Sequence, residues 1–238
     1  MRRTEMRLFL AALACIVVTS STMAAGDGGP RVPVVVELFS SEGCSSCPPA
    51  DVLLARLDRD QPIAGAEVIA LEFHVDYWNY LGWSDPFSSA AFSSRQRKRA
   101  QYTGTSGVYT PQMVVDGQEE FTGSRETAAR SAIEHAARAA HVPVKLAREG
   151  DAITIDVGAI PTNETTRVML AVTERGLRTN VLAGENRGST LEHGPVVRSL
   201  RDLGTERRIT QPRVAGRRVV VFVETRDSMH VLGAATID

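Results

Sequence analysis

Long apolar runs are scarce in this 238-residue chain: the longest, Leu8 to Val18, covers about 11 residues, well short of the roughly 20 needed to span a bilayer. Lysine is nearly missing too, with Lys98 and Lys145 the only two among 27 basic residues, a bias without chemical meaning. Because basic and acidic residues nearly balance, for a net charge of −1, nucleic acid is excluded as an expected partner. Internal repeats, low-complexity linkers and His- or Met-rich tracts are all absent. With 43% hydrophobic and 23% charged residues, the composition excludes disorder, collagen-like chains and disulfide-dense miniproteins. Cysteine is scarce as well: the chain has three.

Export follows from what the first residues do contain. Arg2, Arg3 and Arg7 precede the apolar run, and small residues end at Ala24 and Ala25, the pattern of a secretory signal peptide over residues 1–25. A periplasmic or secreted location is therefore expected, with no membrane span after cleavage. Processing removes Cys15 and leaves Cys44 and Cys47, an even number in a compartment where disulfides persist.

The chain is long enough for two small domains. VPVVVELFS (32–40) and EVIALEF (67–73) read as buried strands, and Pro48 and Pro49 suit only the first turn of a helix that continues through Leu57. A basic helix over 88–102, a strand MVVDG closing on the turn Asp116-Gly117, and an alanine-rich helix after Ser124 complete β-α-β-α-β-α. From Val142 onward the runs VPVKLAREG, DAITIDVGAI, TRVMLAVTERG, GPVVRSLRDLG, RRVVVFVETRD and HVLGAATID alternate with turn residues. The expected architecture is an α/β thioredoxin-like domain over 31–141, followed by a mostly antiparallel, sandwich-like β-module over 142–238.

The segment SSEGCSSCPPAD places C-x-x-C directly after a buried strand and at the start of a helix, as a thioredoxin-type redox motif requires. The helix dipole and free N–H groups stabilise a thiolate there, which makes the more exposed Cys44 the expected nucleophile and Cys47 the resolving thiol. No organic cofactor is needed, because the electrons reside on the sulfurs; envelope proteins or small thiols, and a redox partner protein, are the expected partners. Two alternatives stay open: a structural staple in a non-catalytic binding module, and a copper or zinc site built from Cys44, Cys47 and His74. Glu42, Asp51 and Asp76 are candidate fourth ligands of such a site.

VVELFSSEGCSSCPPAD, EFHVDYWNYLGWSDPFS, GVYTPQMVVDG and ENRGSTLEHGPVVRSL, met in that order, closely resemble a family of secreted bacterial thioredoxin-like proteins defined as a domain of unknown function, DUF1223. The resemblance implies a thioredoxin-like fold and export, and it supplies no substrate. By the same likeness, Pro111 is expected in cis after Thr110, facing the cysteines and presenting backbone to a bound peptide. Glu37 lies near where thioredoxins keep a buried acid, and is either the group that handles the proton of Cys47 or an edge or surface glutamate. The chain departs from thioredoxins in the aromatic insert between Cys47 and Pro111, in Gly43 where an aromatic residue is usual, and in Pro48 after the second cysteine. His74, Trp78 and Trp83 fall in that insert, at the C-terminal end of a strand where crevices form, and either shape a substrate wall or pack the insert down. Asn186, Gly188 and His193 are candidates for a loop that crosses back from the β-region to the N-terminal half.

Overall fold

The computed structural model describes residues 30–104, 107–161 and 163–238; the expected signal peptide lies outside the described residues. The N-terminal half runs β1 (Val32–Ser40), α1 (Pro48–Asp60), β2 (Ala66–His74), α2 (Ala90–Thr103), β3 (Gln112–Val115), β4 (Glu119–Thr122) and α3 (Glu126–Ala136). The C-terminal half runs β5 (Val144–Glu149), β6 (Ala152–Val157), β7 (Thr166–Glu174), β8 (Arg178–Asn180), β9 (Thr190–Glu192), β10 (Val196–Asp202), β11 (Arg208–Thr210), β12 (Arg217–Thr225) and β13 (Val231–Ile237). Among the described residues no helix is long and apolar enough to cross a membrane.

The two halves share one mostly antiparallel, eight-stranded sheet in the order β13-β12-β7-β10-β2-β1-β3-β4. β1 and β2 run parallel along nine residue pairs, and β10 joins the free edge of β2 where Val196 meets Glu72. The C-terminal strands therefore do not form the separate sandwich expected of them. Their sandwich-like layering is local: the small sheet β11-β6-β5 covers one face of β7 and β12 through Ile153, Ile155, Leu170, Ile209 and Val221.

Period-two alternation decides which side chains meet which layer. Val34, Val36 and Leu38 of β1 face α1 and α3, whereas Val35 and Phe39 face the other way. On that second face one apolar cluster crosses both halves, from Val35, Leu71 and Phe73 to Met169, Val220 and Phe222, with Phe92 of α2 laid over it. Near-continuous β-branched runs such as VPVVV are what a strand covered on both faces requires. Pro48 and Pro49 open α1 as expected, and Ser89 caps α2 by accepting from the Ala91 amide. Asp116 (φ 43°) and Gly117 (φ 71°) make the left-handed turn that pairs β3 with β4.

A buried ion network pins α2 across this second face. Arg95 forks onto both carboxylate oxygens of Glu224 on β12, at 3.1 and 2.7 Å, and donates to Glu37 Oε1 on β1 at 2.6 Å. Arg99 donates to the other oxygen of Glu37, and Arg167 on β7 donates to Glu224 at 2.7 Å. Burial alone would raise the Glu224 carboxyl, but Arg95, Arg167 and Arg99 hold it below the usual range. A carboxyl with a depressed folded-state pKa contributes stability that is complete above its unfolded value, about 4.3, and is lost as pH falls through the folded value. The unfolding free energy from urea melts should thus decline as pH drops below about 4.3, and Glu224→Gln should make that decline shallower. An unchanged slope would remove Glu224 from the acid response.

Candidate functional site

β1 and β2 deliver their C-terminal ends to one place. From Ser40 the chain turns through Ser41 to Cys44, and the Cys47 carbonyl accepts the first amides of α1, from Ala50 at 2.8 Å and Asp51 at 3.2 Å. Cys44 and Cys47 are joined as a disulfide with their Cα atoms 5.5 Å apart. Both are buried, Cys44 at 1% and Cys47 at 0% exposure, while Ser45 and Ser46 between them face solvent. The expectation that Cys44 is the more exposed sulfur is corrected here: it is sealed as tightly as its partner.

The seal is built from three directions. Thr110, joined to Pro111 by a cis peptide bond as expected, donates its hydroxyl to Cys44 Sγ at 3.2 Å and accepts from Trp78 Nε1 at 2.8 Å. Trp78 also explains Gly43: a Cβ there would lie 3.1 Å from Trp78 Cβ and 3.4 Å from the Trp78 carbonyl oxygen, so the insert's chain at Trp78 occupies the room a larger neighbour of Cys44 would need. The third side comes from the segment between β8 and β9. Asn186 Nδ2 donates to the carbonyls of Glu42 at 2.9 Å and Cys44 at 3.0 Å, and Glu185 accepts from the Ser45 amide at 2.9 Å. The crossing loop expected around Asn186 and His193 is therefore part of the site.

Beneath the cysteine turn lies a buried cluster of carboxylates and imidazoles. Glu72 and His74, two apart on β2, point to the α1 side of the sheet together. His74 Nδ1 lies 2.7 Å from Asp85 Oδ2 and its Nε2 lies 2.9 Å from Glu72 Oε1. His193 sets Nε2 3.0 Å from Glu42 Oε1, out of line for a full hydrogen bond, and Nδ1 3.5 Å from Glu72 Oε1. Trp83 Nε1 donates to Glu42 Oε2 at 2.7 Å, and Asp85 Oδ2 accepts the Glu42 amide at 2.9 Å. The Gly194 amide donates to Glu72 Oε2, and a Cβ on Gly194 would come within 2.7 Å of that oxygen, so glycine is what permits the approach.

Electrostatics follow from the burial of so many ionisable groups. Burial would strip His74 and His193 of their protons, but the carboxylates win: Asp85 and Glu72 raise His74 well above its ordinary value, and Glu42 and Glu72 push His193 up to about 9. Burial raises Glu72 as well, yet its two histidines bring it down to about 2. Asp51, one helical turn beyond Cys47, takes the Ser40 hydroxyl at 2.5 Å and is pushed up to about 8 by burial and by the charge of Glu72.

Of the residues singled out in the sequence, the fold brings Cys44, Cys47, Thr110, Pro111 and Trp78 together, with Trp83 one layer behind. Two expectations need correction. Glu37 does not lie beneath Cys47: it belongs to the face of Val35 and Phe39, opposite α1, where Arg95 and Arg99 occupy its two oxygens. The set Cys44, Cys47 and His74 does not assemble as a metal site either, because the sulfurs bond each other and His74 groups with Glu72 and His193 instead. Sequence reasoning passed over Glu72, Asp85 and Glu185. A signal for the first existed, since the spacing Glu72-Phe73-His74 inside a strand puts both polar groups on one face.

Together these features define a mixed α/β protein with a C-x-x-C disulfide sealed at a helix start and a buried acid–imidazole cluster under it. The chain belongs to the family described as protein of unknown function DUF1223, which matches residues 35–230. Among solved structures it is similar to the crystal structure of protein AGR_C_4864 from Agrobacterium tumefaciens, with 28% identity and a TM-score of 0.68 over 88% of this chain and 95% of that one. HBP35 of Porphyromonas gingivalis shares the fold at 16% identity, with a TM-score of 0.60 over 88% of this chain and 76% of the other. No curated protein matches the sequence.

Proposed function

We propose that this is an exported, thioredoxin-like thiol–disulfide exchange protein whose redox pair is Cys44 and Cys47, acting on envelope proteins or small thiols. The observation that carries the reading is the hydrogen bond from Thr110 to Cys44 Sγ: the residue before a cis-proline faces the first cysteine of a C-x-x-C that opens a helix. The order β1-α1-β2, then β3-β4-α3 with β3 antiparallel to β1, supports the thioredoxin-like description of this half.

In the reducing direction the Cys44 thiolate attacks a partner disulfide, forming a Cys44–partner bond and releasing the partner's other sulfur as a thiolate. Cys47, deprotonated, then attacks Cys44 Sγ, closes the intramolecular disulfide and expels the partner's second thiolate. The oxidising direction is the reverse. Pro48 and Pro49 supply no N–H at the start of α1 and the Cys47 carbonyl takes the amides of Ala50 and Asp51, so negative charge on Cys44 is stabilised by the Thr110 hydroxyl and the dipole of α1. The proton-transfer role expected of Glu37 passes to Asp51, a buried acid near neutrality one turn from Cys47.

The burial of Cys44 favours a second reading, in which the disulfide is a closed structural staple. One experiment separates the two: Cys47→Ser expressed in the native host and trapped with acid. Mixed disulfides through Cys44 are expected, in a stoichiometric fraction of the protein. Their absence, with a reduction potential below roughly −300 mV for the wild type, would establish the staple instead.

A further inference from the structure

The cluster under the cysteine turn holds more than a set of ion pairs. We propose that Glu72, His74 and His193 form a binding site for one divalent first-row transition-metal ion, with Glu72 Oε1, His74 Nε2 and His193 Nδ1 as its ligands. The three residues bring donor atoms within 4.8 Å of one another, all buried. Glu72 Oε1 stands 2.9 Å from the His74 nitrogen and 3.5 Å from the His193 nitrogen. Donors bound at about 2.0–2.2 Å to one tetrahedral ion stand about 3.3–3.6 Å apart, so the Glu72–His193 pair fits as it stands and the Glu72–His74 pair would open by about half an ångström on binding.

A second, independent observation points the same way. His193 Nδ1 has no hydrogen-bond partner although its side chain is 0% exposed, and buried polar atoms are normally satisfied. Glu42 Oε1, also sealed, is in the same condition. An ion among the three donors would give His193 Nδ1 the partner it lacks.

The outer contacts are those of a metal centre. Histidines that bind metals hold their remote nitrogen against a carboxylate or other acceptor, which fixes the tautomer and the ring plane. Here Asp85 stands behind His74 at 2.7 Å, while Glu42 at 3.0 Å and the Thr179 hydroxyl at 3.4 Å stand behind His193. The Gly194 amide fixes the far oxygen of Glu72. Every proposed ligand is thus oriented from outside, and both imidazole donors face Glu72 Oε1. Two imidazoles and one carboxylate suit zinc and its neighbours, and the set contains no sulfur.

Access and consequence follow from the fold. His193 and Gly194 also line a surface cavity of about 430 Å³ between α1 and the segment around Leu177, so the donors lie one side chain below the surface. A bound ion would tie β2 to the segment after β9, and through Glu42 it would stiffen the carbonyls that Asn186 grips. The site stands independently of the redox reading.

The test uses full mature protein stripped with chelator and then titrated with Zn²⁺ or Co²⁺. One ion per chain is expected, with a higher melting temperature on loading. The Co²⁺ adduct should show ligand-field bands without thiolate charge transfer. The double variant Cys44→Ser/Cys47→Ser should bind unchanged, Asp85→Asn should weaken binding about 10- to 100-fold, and His193→Asn should abolish it. Folded wild type that takes up neither ion would overturn the proposal, as would uptake that needs the cysteines or survives both His193→Asn and Glu72→Gln. If the ligand variants fail to fold, the wild-type Co²⁺ spectrum and the double-cysteine variant decide alone.

Discussion

Truncating Asn186 to alanine is expected to accelerate reduction of the Cys44–Cys47 disulfide by small thiols roughly tenfold to a hundredfold. Cys44 is sealed, so a reductant reaches it only when a cover moves. Asn186 donates two hydrogen bonds that clamp the carbonyls of Glu42 and Cys44. Each such bond is worth about 0.5–1.5 kcal/mol net, so losing both shifts the closed–open balance by about 1–3 kcal/mol. At about 1.4 kcal/mol per tenfold, and with opening fast before exchange, the rate rises accordingly. Stopped-flow reduction with dithiothreitol measures it. A rate within twofold of wild type, in a variant with unchanged melting, would show that the segment between β8 and β9 is not the gate.

Replacing Arg95 by alanine should cost about 3–5 kcal/mol of folding free energy, the usual result of removing one member of a buried ion pair. Its guanidinium touches Glu37 and both oxygens of Glu224, and it lies over the rings of Phe73 and Phe222 at 5.7 and 5.5 Å. Truncation leaves two sealed carboxylates short of positive charge and opens a hole between α2 and the sheet. A domain of ordinary stability, about 5–15 kcal/mol, loses roughly a fifth of it or more. Urea denaturation gives the number directly; a loss under about 1 kcal/mol would mean that Arg99 and Arg167 satisfy the acids without help.

The parts of this fold that were legible in the sequence are those settled locally. Two prolines can only open a helix, a β-branched run between turns reads as a strand, and Asp116-Gly117 announces a hairpin, so β1, α1 and β3 stood out before any coordinates. The six long strands of the C-terminal half showed in the same way. What stayed hidden was decided at long range. Nothing near Val196 says that its strand will insert between β7 and β2, so a sheet common to both halves read as two modules. Glu37 failed for a related reason: alternation groups it with Val35 and Phe39, but the sequence does not say which face α1 will cover. The site was half visible for the same cause, because Cys44 and Pro111 carry familiar patterns, whereas the acid–imidazole cluster joins Glu42, Glu72 and Asp85 to a histidine far along the chain.

The place of β10 beside β2 has a consequence for how the chain is made. During synthesis β2 and β1 are finished long before Val196 exists, so the flank of β2 that β10 will occupy stays bare until roughly the last fifth of the polypeptide arrives. Closure of so distant a pairing is slow, because the entropy of a large loop is lost before the contact rewards it. A nascent or truncated chain therefore carries a sticky ribbon that must be kept from its neighbours, and the molecule reaches its finished form late and all at once.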